Sequence, residues 1–104
     1  MLAVEQIRGS VKARQFRLTA QAESEREADT ITLAEIEEAF GSSDCEILEA
    51  YPDDPRGASC LSLGFTHAGD PLHAVLGTVN ELLVFVTIYR PAPRLWENWR
   101  IRSE

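Results

Sequence analysis

The 104-residue sequence has little of the chemistry that holds many small proteins together other than by packing. Its two cysteines, Cys45 and Cys60, form no Cys-x-x-Cys pair. Pairing the strands on which they fall offsets them by about four residues, on the order of 13 Å, which excludes a disulfide and leaves two buried or half-buried thiols. The two histidines, His67 and His73, fall in a turn and in a strand, which is not the spacing of a metal site, so neither a metal nor a cofactor is expected. No window approaches the roughly twenty apolar residues of a membrane span, and the start lacks the apolar core of a signal peptide, so the chain reads as cytoplasmic. Positive charge is also scarce, with ten Lys and Arg against seventeen Asp and Glu and a net charge of −7. Phosphate attraction is carried by basic surface, and this balance excludes an indiscriminate nucleic-acid binder.

What is present is enough apolar material, 44% of residues, to bury the core of a single domain over residues 1–104. The charge is uneven. Residues 21–54 hold twelve acidic side chains and one basic one, while both ends are mildly basic. A solvated helix face is the ordinary origin of such a block.

Three helices are expected first. Val4, Ile7 and Val11 share one helical face between Leu2 and about Lys12, with Gly9 and Ser10 weakening the helix. Thr19 is a suitable N-cap for a second helix running to about Ala28, preceded by Phe16, Arg17 and Leu18 as a lead-in. Thr32 and Glu35 form a capping box with Ile31 and Ile36 as its hydrophobic staple; Leu33, Ile36 and Phe40 line the buried face, and Gly41 supplies a left-handed stop.

Four strands are then expected: Cys45–Tyr51, Ala58–Thr66, Leu72–Val79 and Leu82–Tyr89, the last two joined by a tight turn at Asn80-Glu81. Connections this short give an antiparallel meander, so the fold class is α+β, with two to three N-terminal helices on one face of a four-stranded sheet and a short Trp-containing tail. Alternation in the second strand points Leu61, Leu63 and Phe65 at the helices, with Phe65 opposite Leu72. For the last strand the choice lies between burying Val84, Val86 and Ile88 and burying Leu83, Phe85, Thr87 and Tyr89; the aliphatic set suits a core better. His73, Thr87 and Tyr89 then share the face turned away from the helices.

Leu18-Thr19, Ile31-Thr32 with Glu35-Ile36-Glu37, Ile47 to Tyr51, Leu61-Ser62-Leu63-Gly64, Gly69-Asp70-Pro71-Leu72-His73 and Val86-Thr87-Ile88-Tyr89-Arg90-Pro91 ending at Trp96 follow one another in an order that resembles the bacterial domain of unknown function numbered forty-two fifty-eight. The resemblance implies kinship with small ribonuclease toxins of the RelE and MqsR type, in which helices cover one face of an antiparallel sheet and RNA lies on the other. It also implies a partner, a YgiT-type zinc-finger antitoxin-like protein. The family's second-helix pattern, Leu-Ser/Thr-x-His-Ala-x-x-Arg-Met-x-x-Arg-Gly-Ile, is broken here. Gln21 stands at the histidine position, and Glu25 and Asp29 stand at the two arginine positions. A carboxylate repels phosphate and Gln does not titrate, so these positions cannot handle phosphate or protons in the same way.

The remaining candidates are His73 as base or acid and Tyr89 as donor, the catalytic pair for cleavage through a 2′-hydroxyl, with Arg90, Arg56, Thr87 and Arg94 to hold substrate. For His73 and Tyr89, ordinary packing at a strand is the competing reading. In the tail, Arg90, Arg94, Arg100 and Arg102 alternate with Trp96 and Trp99, the composition of a nucleic-acid stacking platform. Pro91 and Pro93 could equally lay a short amphipathic turn across the sheet edge, with Trp96 closing the core. Three functions follow: a diverged toxin-like protein with weakened or lost nuclease activity, an active endoribonuclease using the sheet face, or an acidic module that engages a basic partner through Glu23, Glu25 and Glu27.

Overall fold

Local signals set the helices in the computed structural model, which describes residues 2–103. Helix α1 (Val4–Lys12) buries Ile7 and Val11 and leaves open space around Gly9. Thr19 caps α2 (Ala20–Ala28) by accepting from the Ala22 N–H at 3.1 Å. Both bonds of the Thr32–Glu35 capping box form at the head of α3 (Leu33–Phe40). The buried face of α3 is Ile36, Ala39 and Phe40, whereas Leu33, expected inside, is about half exposed. Gly41 is not the expected left-handed stop, since its φ is −88°. A Cβ there would lie 2.6 Å from the Glu37 carbonyl oxygen, so space, not handedness, calls for glycine. Left-handed stops close the other two helices: Arg14, φ 57°, ends α1 and Thr30, φ 53°, ends α2, the latter with bonds from Thr30 N to Glu27 O and from Ile31 N to Arg26 O, the Schellman pattern.

The fold is α+β, and its main sheet has five strands where four were expected. The strands β2 (Glu46–Tyr51), β3 (Ser59–Phe65), β4 (Pro71–Val79) and β5 (Leu82–Tyr89) form the antiparallel meander. Phe16–Leu18, read from sequence as a lead-in, is strand β1 and pairs in parallel with Leu83–Phe85 of β5. Three residues are too few to show a period, and their partner lies more than sixty positions away in the chain. The sheet order is β1-β5-β4-β3-β2.

Register corrects the assignment of faces. Gly64, not Phe65, stands opposite Leu72, so Leu63 faces His73 and Leu61 faces Val75. One residue of slip exchanges the two faces of a strand. Cys60, Ser62 and Gly64 therefore turn toward the helices, and α3 rests directly on Gly64, where a Cβ would lie 2.4 Å from the Ala39 carbonyl oxygen. In β5 a bulge at Val86 separates the pairs Val75–Thr87 and Leu76–Phe85. Neither alternative for this strand is right along its whole length: Leu83, Phe85 and Ile88 enter the helix-side core, while Val84 and Val86 lie outside it. Phe85 anchors that core, edge-on to Phe16 and Phe40 with centroids 5.3 and 5.5 Å away.

Around His73 the sheet face away from the helices is also dry. Leu61, Leu63 and His73 are buried there, and the cover is the tail. After a 3₁₀ turn at Pro93–Leu95, Trp96–Glu97 (β6) and Ile101–Arg102 (β7) pair as a hairpin, not as the amphipathic turn expected from the spacing of Trp96 and Trp99. Its three-residue loop, Asn98–Arg100, opens with positive φ at Asn98 and Trp99 (50° and 62°) and is closed by the bond from Arg100 N to Glu97 O. Both cysteines are free and buried, and burial pushes the Cys45 thiol up to about 12 and the Cys60 thiol up to about 11. No helix among the described residues is long and apolar enough to cross a membrane.

Candidate functional site

His73 and Tyr89 are brought together as expected. They are cross-strand partners of β4 and β5, and the Tyr89 hydroxyl lies 3.1 Å from His73 Nδ1. The other ring nitrogen, Nε2, is 2.7 Å from the carbonyl oxygen of Trp99. A carbonyl can only accept, so Nε2 carries the proton and Nδ1 accepts from the tyrosine hydroxyl. Trp96 stands edge-on to the imidazole with centroids 4.4 Å apart. The ring is wholly buried, and burial holds its pKa below the usual value, outweighing the Trp99 carbonyl, which favours the proton. Burial likewise raises the Tyr89 phenol. The face on which these two groups were expected to meet a substrate is closed by the C-terminal hairpin.

Two ion pairs fasten that hairpin to the edge strand β2. Arg100 Nε reaches Glu46 Oε1 at 2.9 Å, and Arg102 Nη2 reaches Glu49 Oε1 at 3.2 Å. Glu49 also accepts from the Tyr51 hydroxyl at 2.6 Å, and these bonds hold its carboxyl below the ordinary range; Arg100 does the same for Glu46. Arg102 lies over the Trp96 ring at 4.8 Å and Arg100 over Phe65 at 5.9 Å, so tail cations and aromatics are used inside the fold.

The remaining candidates do not join the pair. Thr87, opposite Val75, shares the face of His73 and Tyr89 as expected, but its hydroxyl donates to Glu25 of α2. Arg90 is held among protein acceptors: Nε donates to Asp29 O at 3.0 Å, and Nη2 donates to Thr30 O at 3.0 Å and to Glu35 at 3.1 Å. Arg56 is in the β2–β3 loop, paired with Asp54, whose carboxyl is lowered to about 2 chiefly by bonds from Arg56. Arg94 is exposed in the 3₁₀ turn.

Glu25 and Asp29 have a role that was not expected from the sequence. Strand β1 ends at Leu18, and from there α2 runs along the exposed side of β5. Thr19 N donates to Phe85 O at 3.0 Å, Glu25 accepts from the Ile88 N–H at 3.4 Å, and Asp29 accepts from the Arg90 N–H at 2.9 Å. These two carboxylates complete the backbone hydrogen bonding of an edge strand. The signal was available as an i, i+4 acidic pair on α2, but its reading as a solvated face needed no partner strand.

The family described as Domain of unknown function (DUF4258) matches residues 18–90, which run from the last residue of β1 through β5 and stop before the hairpin. No curated protein matches the chain. No solved structure matches it.

Proposed function

The chain belongs to the DUF4258 family, and from that premise we propose that it is a diverged member of a RelE- and MqsR-like toxin group in which the ribonuclease activity is lost and the fold acts as a binding module. The observation that carries this reading is the state of His73. A general base must present an unprotonated nitrogen to substrate, and an acid a transferable proton. Here Nδ1 is occupied by Tyr89, Nε2 by Trp99, and the ring is sealed beneath Trp96. Arg90, the cation closest in sequence to the pair, already neutralises Glu35 and holds the α2–α3 turn. The partner consistent with this reading is a YgiT-type zinc-finger protein.

Two of the three second-helix acids do not favour the acidic-module reading. Glu25 is drawn onto β5 and Glu23 pairs with Arg26. The test is incubation of the purified protein with single-stranded RNA. No cleavage above buffer is expected, with or without His73→Gln. Cleavage that disappears in His73→Gln while the fold persists would overturn the proposal and assign the chain to the active endoribonucleases.

A further inference from the structure

The hairpin covers only one end of the outer sheet face. At the other end the sheet is hollowed into a groove of about 190 Å³, floored by Ala58, Gly77, Val84 and Val86 and bordered by Arg17 and Arg56. The hollow has a simple cause. Ser59, Gly77, Val84 and Arg17 are aligned across four strands, and Gly77 contributes no side chain to the middle of that row. The bulge at Val86 adds a second small apolar surface beside it.

The charge of this groove is opposite to that of the molecule. The chain carries −7, yet Arg17 is exposed and has no ion-pair partner among the described residues. Asp54 also lines the groove, but its oxygens are taken up by the Arg56 N–H and guanidinium and by the Ser59 hydroxyl. One carboxylate against two guanidiniums leaves a positive excess above a floor that is mostly aliphatic. Such a surface matches a ligand with an anionic head and a flat apolar body.

We propose that the groove is a binding site for a small organic anion, whose flat apolar part rests over Gly77 against Val84 and Val86 and whose carboxylate or phosphate is held by Arg17 and Arg56. The site lies apart from His73 and does not rest on the reading of that residue. Its size suits a ligand built on one ring, because it falls below the roughly 300 Å³ at which pockets for drug-sized molecules begin.

The experiment is a titration of the ¹⁵N-labelled full chain, followed by amide shifts, with phenyl phosphate, sodium benzoate, benzyl alcohol and inorganic phosphate. Saturable shifts at Arg17, Gly77, Thr78 and Val84 are expected with phenyl phosphate or benzoate, and the tighter of the two identifies the head group. Benzyl alcohol and inorganic phosphate, each carrying half of the recognition, should bind about tenfold more weakly or not at all. Arg17→Ala should weaken the preferred anion about tenfold. Gly77→Leu should abolish binding by filling the hollow. If Gly77→Leu does not fold, Gly77→Ala serves, since its Cβ would make only ordinary contact at 3.6 Å with the Ala58 oxygen, and a several-fold loss is expected. The proposal is overturned if neither anion shifts these amides. It is equally overturned if a folded Gly77 variant binds as the parent does, or if benzyl alcohol binds as tightly as benzoate.

Discussion

His73 Nε2 donates to the carbonyl oxygen of Trp99 across 2.7 Å, joining the middle of the sheet to the tip of a hairpin twenty-six residues later. Trp99 makes this contact from φ 62°, a conformation rare for an aromatic residue. The turn that places its carbonyl over the imidazole is thereby specified by the tertiary contact rather than by the residue's own preference.

The first prediction concerns acid. The folded pKa of His73 lies below its unfolded value near 6.5, so between these values the unfolded chain binds a proton that the folded chain does not. Stability contributed by neutral His73 is therefore complete above about pH 7 and is lost as pH falls through 6.5 toward the folded pKa. Urea midpoints measured from pH 7.5 to 5 should fall for the parent protein and fall less for His73→Gln, which can still donate to Trp99 without titrating.

The second concerns Gly64. Gly64→Ala sets a methyl group into the Ala39 backbone and should cost about 3 kcal/mol in denaturant unfolding. Gly9→Ala, where the added methyl meets nothing within 4 Å, should raise stability by about 0.5–1 kcal/mol through helix propensity alone.

The third concerns the left-handed turn after α2. Thr30 is β-branched and sits at φ 53°. Thr30→Gly should raise stability by about 1 kcal/mol and the melting temperature with it.

The fourth concerns the edge of β5. Asp29→Ala removes the acceptor of the Arg90 N–H and should cost about 1–3 kcal/mol. Asp29→Asn retains an oxygen there and should recover much of the loss. Equal stability of the alanine and parent proteins, by chemical denaturation, would contradict the edge-capping role.

The sequence was most legible where a signal is local. Thr19 and Thr32 announce their helices because a cap involves residues only three apart, and Asn80-Glu81 announces a hairpin because its turn is two residues long. Strand β1 was not legible, since Phe16–Leu18 becomes a strand only through Leu83–Phe85. The faces of β3 and β5 were misassigned for a related reason: register depends on one residue of loop length, and the bulge at Val86 reverses alternation within a single strand. At the candidate site the shared face of His73 and Tyr89 followed from the strand pattern, although their direct pairing did not. Its closure did not, because the cover is held by Arg100 with Glu46 and Arg102 with Glu49, contacts across more than fifty residues.

The imidazole of His73 reports that closure directly. Long-range ¹H–¹⁵N correlation spectra of the labelled protein from pH 8 to 5.5 read the tautomer and the titration of each histidine. A neutral His73 ring protonated at Nε2 is expected, with a slowly exchanging ring proton and no titration near 6.5. A ring that exchanges rapidly between tautomers and titrates at the value of a solvated histidine would contradict it.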